Sequence, residues 1–307
     1  MLTEKSVMND PRSTNSRSVE SDESGQGQNI VVDEDSLPSP AAAIHERIRQ
    51  EGQKELVRDG RALLWSAIAA GLSMGTSLIA MGLLHAELKG VTGAHLLESF
   101  GYTLGFIIVI MARQQLFTEN TVTAVLPIMH QPSVHNFRLL LRLWGIVLFG
   151  NLIGTALAAL GYTALPVFSA EVRHAFSDIA LHVMENPPEE MFANAMVSGW
   201  IIATMVWMLP NAGNAKILVI IIMTWLISAS NLTHIVAGAT EIFYLVFNQQ
   251  LSWQAFIWPF ALPTLAGNII GGTFVFALIS HAQIRSDLPD KDKKAVRLND
   301  EKDDRSR

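Results

Sequence analysis

His234 places an imidazole near the middle of a 31-residue hydrophobic stretch, residues 217 to 247. Imidazole, with an unperturbed pKa of about 6.5, can donate a proton to a weak-acid anion, or hold positive charge for it, near neutral pH. Moving a bare anion through hydrocarbon is very costly, and neutralising it removes most of that cost. A lone histidine in an apolar segment can also be a hydrogen-bonded structural residue, but an ionisable group inside a membrane span marks a functional site by default. Glu241 follows seven residues later, and Arg113 stands in a second 31-residue stretch, residues 99 to 129. A buried Arg and Glu in one helix bundle either pair structurally or line a path. Ser198-Gly199 together with His234 offers the Ser-His pair of an intramembrane hydrolase, a different chemistry, although no oxyanion site can be named beside it.

Both stretches carry a polar interruption half-way. The first reads Arg113-Gln114-Gln115 and then Leu116-Phe117-Thr118-Glu119-Asn120; the second reads Ser228-Ala229-Ser230-Asn231-Leu232-Thr233-His234. A bilayer needs only about 20 apolar residues per helix, so each stretch predicts a helix that stops at the midplane and restarts. Non-helical backbone survives at that depth only where protein buries it or water reaches it. Paired breaks therefore predict a substrate path.

The elements that must hold these breaks are six apolar segments at residues 62 to 84, 99 to 129, 138 to 161, 191 to 210, 216 to 247 and 255 to 281. The chain is predicted to be an all-α membrane protein of six transmembrane helices, the second and fifth broken. Half of the 307 residues are hydrophobic and the mean hydropathy is +0.29. The net charge of -6 comes largely from the tails. The absence of cysteine excludes a disulfide framework, a thiolate metal site and a cysteine nucleophile. No apolar run suited to a cleavable signal peptide occurs in the first 40 residues, so the first membrane helix is expected to direct insertion.

Lysine and arginine cluster before the first pass (Lys54, Arg58, Arg61), between the second and third (Arg138, Arg142), between the fourth and fifth (Lys216) and after the sixth (Arg285, Lys291, Lys293, Lys294). The opposite face offers only Lys89 and Arg173. Both termini are therefore expected in the cytoplasm, and residues 162 to 190 become an acidic external loop. Residues 1 to 38 are too polar to fold and are read as a disordered cytoplasmic tail. Residues 39 to 60 form an amphipathic helix opened by Ser39 and Pro40, expected along the cytoplasmic membrane surface, either merely solvated or serving gating or assembly. Residues 61 to 284 make the channel domain, and residues 285 to 307 a charged cytoplasmic tail.

The segments repeat. Gly150-Asn151-Leu152-Ile153-Gly154 in the third pass matches Gly267-Asn268-Ile269-Ile270-Gly271 in the sixth; Thr118 precedes Asn151 by 33 residues and His234 precedes Asn268 by 34. Two copies of three passes must be inverted relative to one another, which brings their broken helices together at the midplane. The small-residue spacings let helix backbones approach closely.

The runs Leu116 to Asn120, Phe149 to Gly154, Thr233 to Ala237 and Pro263 to Gly272 together resemble the formate/nitrite transporter family, over about residues 60 to 282. The pattern is similar to that family's YfdC-like inner-membrane branch. The resemblance implies an aquaporin-like protomer with its own pore and a homopentamer in a bacterial inner membrane. It implies passage of small monovalent weak-acid anions such as formate or nitrite, with no cofactor and no nucleic-acid partner. By this resemblance His234 is the central pore histidine. Asn268 is placed to hydrogen-bond it, or else is a polar knob between the fifth and sixth helices, and Thr118 faces the histidine across the pore. Tyr102, Phe106, Leu116, Phe117, Ile202 and Ile227 become candidates for apolar constrictions.

The chain departs from the family pattern in four places. Leu181-His182-Val183-Met184-Glu185-Asn186 lacks an anion-attracting lysine, Gly199 stands where an asparagine is expected, Arg113 replaces a small residue, and Glu241 is additional. Arg113 is therefore expected to supply the positive potential of the missing lysine. The same departures leave room for a transport-impaired scaffold or regulatory protein. The paired Asn-Pro-Ala motifs of an aquaglyceroporin are absent.

Overall fold

The structure, a computed structural model, describes residues 39 to 277 together with 279, 280, 282 and 283. The tails expected at 1 to 38 and 285 to 307, with the four basic residues after the sixth pass, lie outside the described residues. Among the described residues every regular element is helical.

Helix α1 (Pro40–Val57) opens with Ser39 accepting a bond from the Ala42 amide and Pro40 in its first turn, where a missing amide costs nothing. Its buried residues are Ala42, Ala43, His45, Ile48, Gly52 and Leu56, a stripe at helical spacing. This stripe faces the short helices α4 (Phe117–Thr123) and α5 (Val125–His130) that follow the first break. Helix α1 thus docks on the bundle through its buried stripe. Gly52 explains the close seat, because a Cβ there would collide with the Thr123 carbonyl.

Asp59 ends the linker and caps α2 (Gly60–Glu87), accepting from the Arg61 and Ala62 amides. The Ala62 amide first, and then that of Arg61, holds the Asp59 carboxyl below the usual carboxylate range. Next come α3 (Ala94–Met111), α6 (Val134–Ala164), α7 (Ala170–Val183), α8 (Pro188–Met208), α9 (Lys216–Ala229), α10 (Ile235–Phe247) and α11 (Trp253–Ala277). Among the described residues, five helices are long and apolar enough to cross a membrane: Gly60–Glu87, Ala94–Met111, Val134–Ala164, Pro188–Asn211 and Trp253–Ala277. The second broken stretch appears as two shorter apolar pieces, Gly213–Ala229 and Ile235–Phe247. Helix α11 kinks at Trp258, whose backbone torsions leave the helical region just before Pro259, since a proline removes a donor and crowds the preceding turn.

Helices α2 and α6 cross through Gly71, Gly150 and Gly154, and α8 and α11 cross through Gly199, Gly267 and Gly271. A Cβ at Gly154 would strike the Ile68 carbonyl, and one at Gly271 the Met196 carbonyl. Only glycine permits backbones so close. The expected external loop contains α7, capped by Ser169. Phe176 of α7 is fully buried among Tyr162, Phe168 and Tyr244, and Gln250 donates to Ser177 while Tyr244 donates to the Arg173 carbonyl. These ties hold α7 over one mouth of the bundle.

Candidate pore site

The two breaks share one hydrogen-bond pattern. Helix α3 ends with Arg113 at φ 52° and α9 with Asn231 at φ 53°, left-handed residues of the kind that close helices. The Gln114 amide returns to the Val109 carbonyl, and the Leu232 amide to the Ile227 carbonyl. Past each break an asparagine side chain takes over. Asn151 accepts from the Phe117 amide and donates to the Gln115 and Ala67 carbonyls. Asn268 accepts from the Ile235 amide and donates to the Ala195 carbonyl, to Ser198 Oγ and, longer, to the Thr233 carbonyl. Each asparagine thus satisfies backbone groups that the interruption strands at a depth without water.

Asn268 therefore holds the backbone beside His234 and not its ring, which corrects the expectation that it hydrogen-bonds the imidazole. The register also shifts: the residue before α4 is Leu116 and the residue before α10 is His234. His234 thus corresponds to Leu116, and Thr118 stands two residues further into its helix. The Ser-His pair is not formed. Ser198 Oγ donates to the Thr233 carbonyl and accepts from Asn268, so it buttresses the break instead.

The His234 ring is bonded at both nitrogens. Nδ1 accepts from the Ala237 amide at 3.2 Å, which requires that nitrogen to be unprotonated. In the neutral ring the hydrogen then sits on Nε2. Nε2 lies 2.8 Å from Thr118 Oγ1 and donates to it, leaving the threonine hydroxyl hydrogen free to donate onward. This bond joins the second break to the helix after the first. His234 is 1% exposed, and the amino terminus of α10 adds a partial positive charge at the same point.

The constriction candidates divide around this pair. Phe106 meets the His234 ring edge-on, centroids 5.2 Å apart, and Tyr102 lies against Phe106 at 5.2 Å. Leu116 and Phe117 are buried, Phe117 against Trp144. Ile202 and Ile227 are fully buried in the core. A cavity of about 340 Å³ reaches inward to His234, with Tyr102, Gly238, Glu241 and Phe260 in its deep wall. Its mouth is formed by His85, His95, Glu98, Asp178, His182 and Asn186.

Residues 42 to 282 match the family model described as formate/nitrite transporter. The chain belongs to the formate/nitrite transporter family. It is 65% identical over 279 residues to the inner membrane protein YfdC of Escherichia coli (strain K12), covering 91% of this chain and 90% of that one. It is 28% identical over 272 residues to the formate-nitrite transporter of Plasmodium falciparum (isolate 3D7), covering 81% and 86%. Among solved structures it is similar to a pentameric formate channel with formate bound, at TM-score 0.64 and 20% identity over 73% of this chain and 97% of that one. It is also similar to an ion channel of the same family, at TM-score 0.68 and 21% identity over 78% and 98%. Membership sets the chain among channels and transporters, not enzymes.

The departures from the formate/nitrite transporter pattern have structural reasons. Gly199 abuts the backbone of Asn268, where a Cβ would press on the Asn268 carbonyl. In the stretch without lysine, His182 and Asn186 face the cavity. Arg113 and Glu241 form no ion pair, because the break turns Arg113 out to an exposed position while Glu241 sits buried in the cavity wall. Arg113 is not among the residues around the cavity.

The mouth residues went unseen in the sequence as one group. His85, Glu98 and Asp178 come from α2, α3 and α7, with no shared spacing. In the structure His85 Nδ1 lies 3.1 Å from Glu98 and His85 Nε2 lies 3.6 Å from Asp178. Phe260, on the kinked helix, was likewise hidden among apolar neighbours. A Cβ at Gly238 would press on the Phe260 ring, a contact that only the structure shows.

Proposed function

We propose that the chain is a membrane channel or transporter for small monovalent weak-acid solutes of the formate and nitrite kind. The reading places it in a bacterial inner membrane, as six passes in two inverted three-helix repeats with both termini cytoplasmic. It assembles as a ring of five, each protomer with its own pore. Support for the repeat comes from the matched breaks and their matched asparagines. Support for location and assembly comes from the inner-membrane relative and the pentameric neighbour.

The observation that carries the transport reading is the His234–Thr118 bond at the inner end of the cavity. A solute reaching it exchanges water for the hydroxyl hydrogen of Thr118, itself oriented by the imidazole. Beyond lies buried apolar surface at Phe106, Leu116 and Phe117, which a bare anion cannot cross cheaply. The solute passes this stretch neutralised, with the proton shared at the histidine.

The test is flux through proteoliposomes for formate, nitrite, acetate, lactate and hydrosulfide at two pH values. Flux that rises in acid and vanishes in His234→Ala is expected. Flux that is independent of pH and survives in that variant would overturn the reading.

A further inference from the structure

The cavity outside His234 has an unusual set of charges for a passage open to anions. Its carboxyl groups are Glu98 and Asp178 at the mouth and Glu241 in the deep wall, and neither lysine nor arginine lines it. Its remaining ionisable groups are His85 from α2, His95 and Tyr102 from α3, His182 from α7 and His234. His85 has one ring nitrogen facing each of Glu98 and Asp178, and His182 faces Glu185 at 2.9 Å. Any positive charge on these two histidines is thus matched locally by a carboxylate. An anion entering from this side meets carboxyl oxygens and no lysine or arginine, and of the outer histidines only His95 has no carboxylate beside it.

Glu241 stands apart from the mouth carboxyls. It lies two helical turns beyond His234, on the same side of α10, and is 5% exposed. No hydrogen bond or ion pair ties its carboxyl to any described residue. A carboxyl buried in this way needs a partner, and its place in the cavity wall leaves room for one there. Around it stand the Tyr102 and Phe260 rings, Gly238 and His234.

We propose that Glu241 is a solute-binding, specificity-determining residue, and that it takes a small monobasic acid in its undissociated form by accepting the acid's O–H. This deepens the transport reading and rests on it. The mouth carboxyls disfavour the dissociated anion, Glu241 holds the neutral acid, and the His234–Thr118 pair receives it next. Proton and anion enter as one molecule, so no transfer is needed within the outer cavity.

The experiment uses full-length protein in proteoliposomes with formate at fixed total concentration, at external pH 5.5 and 7.5. The undissociated fraction changes about a hundredfold between these values, both being well above the acid's pKa. Wild-type influx is expected to fall by about that factor from pH 5.5 to 7.5. Glu241→Leu, which nearly keeps the size and removes the acceptor, should reduce the ratio to about ten or less, chiefly by lowering influx at pH 5.5, where the undissociated acid is most abundant. Asp178→Asn, at the mouth, should move the ratio in the same direction by less, through a rise in influx at pH 7.5, and serves if Glu241→Leu does not assemble. A wild-type ratio near one, or a ratio unchanged in the variants, would overturn the inference while leaving transport itself established. A methylammonium arm separates the two failures: uptake of that cation with no acid flux at either pH would overturn the transport reading, and the inference with it.

Discussion

Replacing Asn268 by leucine should unfold the second break while keeping the number and branching of the side-chain heavy atoms. The Ile235 amide would lose its acceptor, and the Ala195 carbonyl, Ser198 Oγ and the Thr233 carbonyl would lose a donor. All of this lies in a fully buried place, Asn268 having no exposed surface. Stranding a buried donor or acceptor costs about 1–3 kcal/mol. The Ile235 amide and one carbonyl bear most of the loss, since Ser198 still reaches the Thr233 carbonyl, giving roughly 3–5 kcal/mol in all. For a domain of this size about 1 kcal/mol shifts the midpoint by about 2–4 °C, so a fall of at least about 6 °C is expected.

The control is His234→Leu, because Leu116 occupies the corresponding place and supplies no side-chain cap, yet its break forms. That variant loses the bond from the Ala237 amide and the bond to Thr118, and should cost about half as much or less. Thermal unfolding in detergent, followed by tryptophan fluorescence, measures both. Equal midpoints for the two variants would refute the argument that asparagine, and not histidine, holds the break.

Thr118→Val leaves the His234 Nε2 hydrogen without an acceptor, so flux in proteoliposomes should fall by about tenfold or more, whereas Thr118→Ser should retain most of it. Gly154→Val sets a branched side chain against the Ile68 carbonyl and the α2 backbone, and should yield little folded protein by gel filtration; Gly145→Ala, with open space around it, should be neutral or stabilising by up to about 1 kcal/mol. Arg113→Gly should hold or raise the unfolding midpoint, since a left-handed residue with a Cβ costs about 1–2 kcal/mol, while Arg113→Val should lower it. On α1, the hydrogen bonds from Arg49 hold the Glu46 carboxyl below its ordinary value of 4.5. Its contribution to keeping α1 folded is thus complete above that value and lost as pH falls through the lowered one, so limited proteolysis of α1 should quicken only in acid below about pH 4.5.

Much of the site was legible because membrane burial leaves few polar residues to choose among. Polar groups inside long apolar runs had to mark breaks or a path, and His234, Thr118, Asn151 and Asn268 stood out for that reason alone. Their partners did not. The resemblance offered Asn268 as a partner of the imidazole, with a polar knob between the fifth and sixth helices as the alternative; the amide side chain instead meets the stranded backbone amide and carbonyls, the strongest unsatisfied groups nearby. Arg113 and Glu241 looked like a pair because both are charged and close to breaks; the left-handed turn at Arg113 sends its side chain outward instead. For helix α1, amphipathicity showed that one face is buried and not against what, and the close approach of Gly52 to the Thr123 carbonyl is visible only in the structure.

The sequence by itself determined that this chain is a helical membrane protein with two interrupted helices and glycine-lined crossings, because hydrophobic length and the need to satisfy backbone groups in lipid admit few other answers. Its motifs also carried the family. Only the tertiary structure decided which atoms meet: the Thr118–His234 bond across 116 residues of chain, the two asparagines clamping the breaks, and the outer cavity where α2, α3, α7 and α10 bring three carboxyl groups together without a lysine or arginine. Periodicity fixes the face on which a residue stands, but the partner across a cavity depends on how separate helices cross, and no local pattern encodes that.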